Sequence, residues 1–252
     1  MILAVPARAK LNLDLEVLGR DSDGFHQIRT RIQAVALHDL LELEPAKSTT
    51  MKTSGRALAN EKDNSVRAAH AAMEHAAGRK LPTRFHLHKR IPSGAGLGGA
   101  SSDAAAALRG LAAIHTLKDI DLHDTAAKIG ADVPFFLNGG TARAEGHGER
   151  LHRLPDETGW FAIAWPGIEL LTAIVYRAWD EVKGDGPNQL HRAAVHTEPR
   201  LQDFASQLGR GWQMSGSGSA FFLRCADQAS ASKATARLDC WTAVTHAVGA
   251  WA

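Results

Sequence analysis

Residues 92–105 read PSGAGLGGASSDAA, and no other stretch restricts the fold of this chain as tightly. Four glycines lie within six positions, ahead of Ser101, Ser102 and an alanine-rich run of high helix propensity. Just before them, Phe85-His86-Leu87-His88 alternates apolar and polar residues with the period of a strand. Glycines set flush between a strand and a helix let the backbone approach an anion closely. Successive N–H groups can turn inward as a nest, and the helix N-terminus adds free donors and a partial positive charge. The stretch reads as a phosphate cradle; the plain alternative is a tight turn or linker.

Two familiar patterns overlap it without settling its chemistry. Gly94-x-Gly96-x-x-Gly99 matches the dinucleotide fingerprint, with Asp119 and Asp121 about 20 residues on. That fingerprint normally follows the opening strand of a parallel sheet, whereas at least three strand-like segments come first here. An NAD-dependent oxidoreductase is therefore the weaker alternative. Gly94 and Gly99 also have the spacing of a P-loop, but in the following Ala100-Ser101 its lysine is missing.

Around this loop the chain punctuates itself with Gly, Pro and Asn. Leu11, Leu13, Leu15 and Val17 share one face of a strand spanning 11–17; a second extended stretch runs through Ile28, Ile32 and Val35, and a third strand covers 40–43. A helix over 65–77 is capped by Asn64 and stopped by Gly78; further helices cover 101–114 and about 122–129. A strand at 161–165 opens the second half. Helices follow to Leu208, and strand, helix and strand over 213–223, 228–238 and 241–248 close it. Without a steady βαβ rhythm the class is α+β, with a domain boundary between 154 and 155.

Composition narrows the function. With 29 Lys+Arg against 27 Asp+Glu the net charge is +2, too balanced for a dedicated nucleic-acid binder. Two cysteines form no disulfide framework, no apolar run approaches the ~18 residues of a membrane span, and the N-terminus makes a poor signal peptide. The expectation is a cytoplasmic protein. Of 13 histidines, His86 and His88 share a strand face but lack a third ligand at a recognised spacing, and His70 and His75 are five apart. They are read as dispersed surface residues, with no metal site.

Three segments together resemble the GHMP kinases: Ala9-Lys10-Leu11-Asn12-Leu13, the glycine-rich stretch at 92–105, and Met214-Ser215-Gly216-Ser217-Gly218-Ser219-Ala220. They stand in the family's order across almost the whole chain. Gly19-Arg20-Asp21-Ser22-Asp23-Gly24-Phe25-His26 and Gly130-Ala131-Asp132-Val133-Pro134-Phe135-Phe136 are similar to the branch acting on a cytidine diphosphate-linked polyol in the non-mevalonate route to isoprenoid precursors. Arg8 departs from the family's proline, and Phe25 from its commoner tyrosine.

The resemblance implies a two-lobed fold, with a first lobe like domain 2 of ribosomal protein S5 and a ferredoxin-like second lobe. It implies ATP and Mg²⁺, small-molecule substrates, no nucleic-acid or membrane partner, and a monomer or weak homodimer. Asp132 would accept the proton of the substrate 2-hydroxyl beside Lys10. Spacing alone makes Asp132 a turn aspartate, and Lys10 could lie on a solvated face with Asn12, Asp14 and Glu16. Pro92, Ser93, Gly94, Ala95, Gly96, Leu97, Gly98, Gly99, Ala100, Ser101 and Ser102 would wrap the ATP phosphates, with Asn64 near the adenosine or simply capping its helix. Asn12, Gly216, Ser217 and Gly218 would position the substrate, Phe25 and Tyr176 would sandwich its base, and His26 would bond the base edge. Asp103 reads as structural, since a carboxylate there repels phosphate. Another kinase of the family, acting on a different alcohol, is the nearer alternative.

Overall fold

The computed structural model describes residues 1–56 and 64–251. The first half alternates strands and helices: β1 (Leu3–Asn12), β2 (Glu16–Arg20), β3 (His26–Pro45), β4 (Thr50–Gly55), α1 (Ser65–Ala77), β5 (Thr83–Lys89), α2 (Gly99–Ile114), α3 (Leu122–Ala127), α4 (Phe135–Asn138), β6 (Thr141–Gly146) and β7 (Arg150–Arg153). The second half holds β8 (Trp160–Trp165), α5 (Thr172–Val182), α6 (His191–Thr197), α7 (Arg200–Leu208), β9 (Gln213–Met214), β10 (Phe221–Cys225), α8 (Gln228–Thr235) and β11 (Trp241–His246).

The 20-residue β3 organises the first sheet. Along one edge it pairs with β2 and then β1, along the other with β6 and then β5, all antiparallel. β4 extends the sheet in parallel beside β5, and β7 continues it beside β6. The expectation of two separate strands at 28–35 and 40–43 is corrected here. His38 and Asp39 interrupt the apolar pattern, yet the backbone continues through them because the fully buried Asp39 carboxylate accepts bonds from the Arg90 and Ile91 N–H groups. The strand expected at 11–17 also divides. β1 starts earlier, at Leu3, and the chain breaks pairing around Leu13 and Asp14 before β2. Pro6 is tolerated because β1 pairs only with β3 and so lies at an edge.

Helices α1 and α2 cover one face of this sheet, burying Val66, Met73, Leu108 and Leu111 against Leu41, Leu43, Phe85 and Leu87. Asn64 caps α1 by accepting from the Val66 N–H at 2.9 Å, and Gly78 ends it in the left-handed conformation, as its sequence dictates. The second sheet, in the order β11-β8-β10-β9, is antiparallel. Residues 213–223, expected as one strand, are two short strands separated by the Ser215–Ser219 loop, where glycines break the period.

The lobes share a core. Leu11, Leu13 and Val35 of the first pack with Phe161, Ile163 and Phe222 of the second, and Ala95 and Leu97 of the glycine loop are buried in the same cluster. The Val248 N–H also donates to the Ala34 carbonyl at 2.9 Å, stitching the segment after β11 onto β3. These contacts fix the glycine loop at the junction of the lobes.

Candidate active site

A cleft of about 740 Å³ opens at this junction. Residues Pro92 to Ser101 form its longest wall, and Lys10, Asn12, Asn64, Asp132, Tyr176, Gly216 and Ser217 complete the part anticipated from sequence. Most of the expected site residues, scattered from Lys10 to Ser217, are thus brought to one cavity.

The loop takes its shape from buried anchors. The Lys10 N–H donates to the Leu97 carbonyl (2.9 Å), the Ala220 N–H to Ala95 (3.0 Å), and the Leu170 N–H to Gly94 (3.1 Å). Gly96 and Gly98 both hold positive φ, +74° and +73°. A Cβ at Gly96 would lie 2.2 Å from the Ser215 carbonyl oxygen, and one at Gly98 would lie 2.6 Å from the Phe136 ring. Two glycine loops therefore touch, backbone on backbone, at Gly96. The loop then passes into α2. Its first internal bond runs from the Ser102 N–H to Gly98, so the preceding N–H groups and the positive helix end face the cleft. Ser102 itself is buried and lies off the cavity wall.

Directly against the loop, Lys10 and Asn12 are almost fully buried, so the solvated-face reading of that strand fails for these two. A register shift between Arg8 and Lys10 sets residues 35–37 of β3 as a bulge opposite Ala9; beyond it β1 is buried on both faces, apolar on one and polar toward the cleft on the other. The Lys10 ammonium bonds the Asn12 side-chain oxygen and lies 3.7 Å from Asp132 Oδ2. Asn12 Nδ2 donates to Thr30 Oγ1 at 2.9 Å, which fixes the amide orientation. The Asn12 N–H reaches Ser215 Oγ at 3.2 Å, and that hydroxyl donates to the Gly96 carbonyl at 3.1 Å. Asp132 lies in the turn that leads into α4, as spacing suggested, but with an ammonium beside it and its carboxylate 42% exposed to the cleft. Asn64 does two things, capping α1 and lining the cavity.

The aromatic end is built differently from the expected sandwich. His26 stacks on Tyr176 with ring centroids 5.0 Å apart and bonds Asp180 Oδ1 through Nε2 at 2.8 Å; it lies off the cavity wall. Phe25 is 63% exposed and packs on His147, which lines the cleft. Gly218 also lies off the wall, packed on Met214 and Leu170. Burial, with the Asp132 charge adding to it, raises the Tyr176 hydroxyl well above its ordinary value, so it stays protonated. The Arg20 hydrogen bond, helped by His26, pulls Asp180 down to about 2.

Several wall residues were not anticipated. His147 stands in the turn between β6 and β7, and Thr172 lies 2.9 Å from Ser217 Oγ through its own hydroxyl. Beneath Gly99, Lys89 lies buried between Asp39 and Asp103, 2.7 Å from Asp103 Oδ2. Lys89 had a signal: it continues the apolar parity of Phe85 and Leu87, a charge on the buried face of a strand. Desolvation, opposed by Lys89, pushes the Asp103 carboxyl up to about 8. Desolvation also weighs against the Lys89 charge, but the two aspartates outweigh it and raise its pKa.

A family profile described as the GHMP kinases N terminal domain matches residues 64–140. Homoserine kinase from Cytophaga hutchinsonii has the same fold, with a TM-score of 0.65 at 17% identity over 99% of this chain and 95% of that one. A mevalonate kinase does too, at 0.65 and 13% over 99% of each. The fold and its cleft thus define the GHMP kinase class. Closer relatives are named 4-diphosphocytidyl-2-C-methyl-D-erythritol kinase. The protein from Thermotoga maritima is 35% identical over 242 residues, covering 85% of this chain and 89% of that one. The protein from Pelotomaculum thermopropionicum is 35% identical over 269 residues, covering 94% of each. A crystal structure of 4-(cytidine 5'-diphospho)-2C-methyl-D-erythritol kinase matches with a TM-score of 0.85 at 34% identity, covering 98% of this chain and 100% of that one. The chain belongs to the 4-diphosphocytidyl-2-C-methyl-D-erythritol kinase family of GHMP kinases, ATP-dependent small-molecule kinases.

Proposed function

We propose that this chain transfers the γ-phosphoryl group of ATP to the 2-hydroxyl of 4-diphosphocytidyl-2-C-methyl-D-erythritol, in non-mevalonate isoprenoid precursor synthesis. The observation that carries this reading is the Lys10–Asp132 pair facing the Gly94–Ser101 loop across one cleft. The 2-hydroxyl oxygen attacks the γ-phosphorus, the bond to the β–γ bridging oxygen breaks, and ADP leaves. Asp132 takes the hydroxyl proton. Lys10, beside that carboxylate, stabilises the developing alkoxide. The loop N–H groups and the α2 N-terminus hold the phosphates.

Mg²⁺ bound with ATP neutralises β- and γ-phosphate charge. The Ser101 hydroxyl on the cleft wall would be an oxygen ligand for it, which suits a hard ion that takes its other ligands from phosphate and water. Asn12 and the Gly216–Ser217 backbone orient the polyol diphosphate. The base lies toward Tyr176, with Phe25 and His26 contributing from the neighbouring β2–β3 turn. Asn64 contacts the adenosine side.

We divide the chain into lobes at 154/155, the linker between β7 and β8. We place the protein in the cytoplasm as a monomer or weak homodimer, a reading supported by two free cysteines, Cys225 and Cys240. Among the described residues no helix is long and apolar enough to cross a membrane. The NAD alternative loses its support, because Gly94–Gly99 follows a strand of a largely antiparallel sheet. ADP release tests the proposal. It should require the cytidyl polyol, and turnover with another alcohol but not with this one would assign a different kinase of the family. Stabilisation by NAD without stabilisation by ATP or cytidine diphosphate would remove the kinase reading of the cleft.

A further inference from the structure

Outside the cleft, on the sheet face turned away from α1 and α2, β3 places Glu42 directly opposite His86 of β5, with His88 two residues along the same face. Glu42 Oε2 lies 2.9 Å from His88 Nε2 and 3.5 Å from His86 Nδ1, and the three donor atoms fall within 4.8 Å of one another. For tetrahedral zinc with bonds near 2.05 Å, neighbouring ligand atoms stand about 3.3 Å apart. The two measured separations bracket that value.

The far nitrogens are held as well. Ser54 Oγ of the edge strand β4 lies 2.9 Å from His86 Nε2 and 3.0 Å from His88 Nδ1. Such outer bonds fix ring orientation and tautomer at metal-ligating histidines. With His88 donating its Nε2 proton to Glu42, the Ser54 hydroxyl donates to His88 and accepts from His86. The His86 Nδ1 lone pair then faces the same carboxylate oxygen unpaired. A cation shared by all three groups removes that conflict. We propose that Glu42, His86 and His88 form a site for a borderline divalent transition metal, Zn²⁺ above all, clipping β3 to β5 with Ser54 as its outer support.

The local charges suit such a site. Burial, as the largest cause, lowers the His86 pKa against the opposing pull of Glu42. The His88 hydrogen bond lowers that of Glu42, keeping it ionised. Lys52, opposite His86 on β4, is a neighbouring cation that tempers the affinity. Two imidazoles and one carboxylate discriminate against Mg²⁺, which prefers oxygen ligands, so nucleotide-bound Mg²⁺ does not compete.

The test is calorimetric titration of Zn²⁺ into the full-length chain at neutral pH with Mg²⁺ in excess, paired with thermal denaturation. Wild type should take up one Zn²⁺ per chain and melt higher with it. His86→Ala combined with His88→Ala should lose both effects while releasing ADP at the wild-type rate, which certifies folding. Ser54→Ala should bind ~10–100-fold more weakly. Glu42→Gln, which preserves shape, should weaken binding as well and covers a misfolded double variant. An isotherm unchanged in Glu42→Gln and the double variant would put the metal on other histidines. Wild type showing no uptake under Mg²⁺ would leave the cluster as a proton-sharing surface network. Either result overturns the proposal, and neither bears on the kinase reading.

Discussion

Replacing Gly96 with alanine tests whether the contact between the two glycine loops shapes the active site. Its φ of +74° costs an L-residue ~1–2 kcal/mol. The added Cβ would stand 2.2 Å from the Ser215 carbonyl oxygen and 3.0 Å from that of Gly218. An ordinary carbon–oxygen contact lies near 3.3–3.6 Å, so the loops must part by about an ångström. Both obstacles are backbone, and no side chain can rotate away. Parting strains the Ser215 Oγ bond to Gly96 and the Asn12 N–H bond to Ser215, each worth ~1 kcal/mol. Together these give ~3–4 kcal/mol, or roughly 6–16 °C in melting temperature for a chain of this size. Misplacement of the loop by about an ångström also predicts a ~10²-fold loss in kcat. Gly167→Ala is the control, because its φ is +79° but nothing lies within 4 Å of the new carbon. It pays the backbone term alone. Thermal denaturation and steady-state ADP release on both variants decide the matter: if Gly96→Ala melts and turns over no worse than Gly167→Ala, the loops are not in functional contact.

Asp132→Asn should lower kcat by ~10²–10⁴ with little change in the KM for ATP, and Lys10→Ala should fall in the same direction; near-normal rates in both would end the assignment of base and partner. Tyr176→Ala should raise the KM for the cytidyl substrate, by the equivalent of ~1–3 kcal/mol of stacking, far more than it lowers kcat. An unchanged KM would place the base elsewhere. Asp103 gives a pH prediction. Its folded-state pKa is raised to about 8, so its contribution to stability is fully present below the ordinary carboxylate range and is lost as pH rises through about 8. Asp103→Asn mimics the protonated form and should flatten the fall in melting temperature between neutral and mildly alkaline pH; parallel slopes in variant and wild type would mean the proton is held elsewhere.

What was legible in the sequence was local. The glycine loop, the Asn64 and Gly78 caps, and the helix that follows the loop are written in consecutive residues, and the structure keeps them. Strand continuity was less legible, because it depends on partners. Asp39 looks like a break until Arg90 and Ile91 supply its donors from about 50 positions away, and Pro6 until β1 proves to be an edge. The same limit governed the site. The buried polarity of Lys10 and Asn12 comes from a bulge and from Ser215 across the cleft, and parity along β1 carries neither. His86 and His88 were visible as a pair, but their partner Glu42 is fixed only by the β3–β5 register. Phe25 was read as a ring facing the base, whereas its exposed position against His147 depends on a turn packing on the Gly146–Gly148 loop.

Neither lobe holds a complete cleft. Lys10, Asp132 and the 94–101 loop come from the first, Thr172, Tyr176 and Gly216–Ser217 from the second. Among the described residues its two lysines have carboxylate neighbours, Lys10 beside Asp132 and Lys89 between Asp39 and Asp103. On the proposed reading, attraction for phosphate comes in large part from backbone N–H groups, whose positions depend on packing. That packing crosses the junction: Ala220 holds Ala95, Ser215 holds Gly96, and the core beneath the loop draws Leu11 from one side and Phe222 from the other. A loop that binds through its backbone has to be held rigid, and one held from both lobes senses any shift between them. The near-neutral net charge of +2 follows from the same design, since a site that recognises anions through aligned peptide groups needs no excess of basic side chains around it.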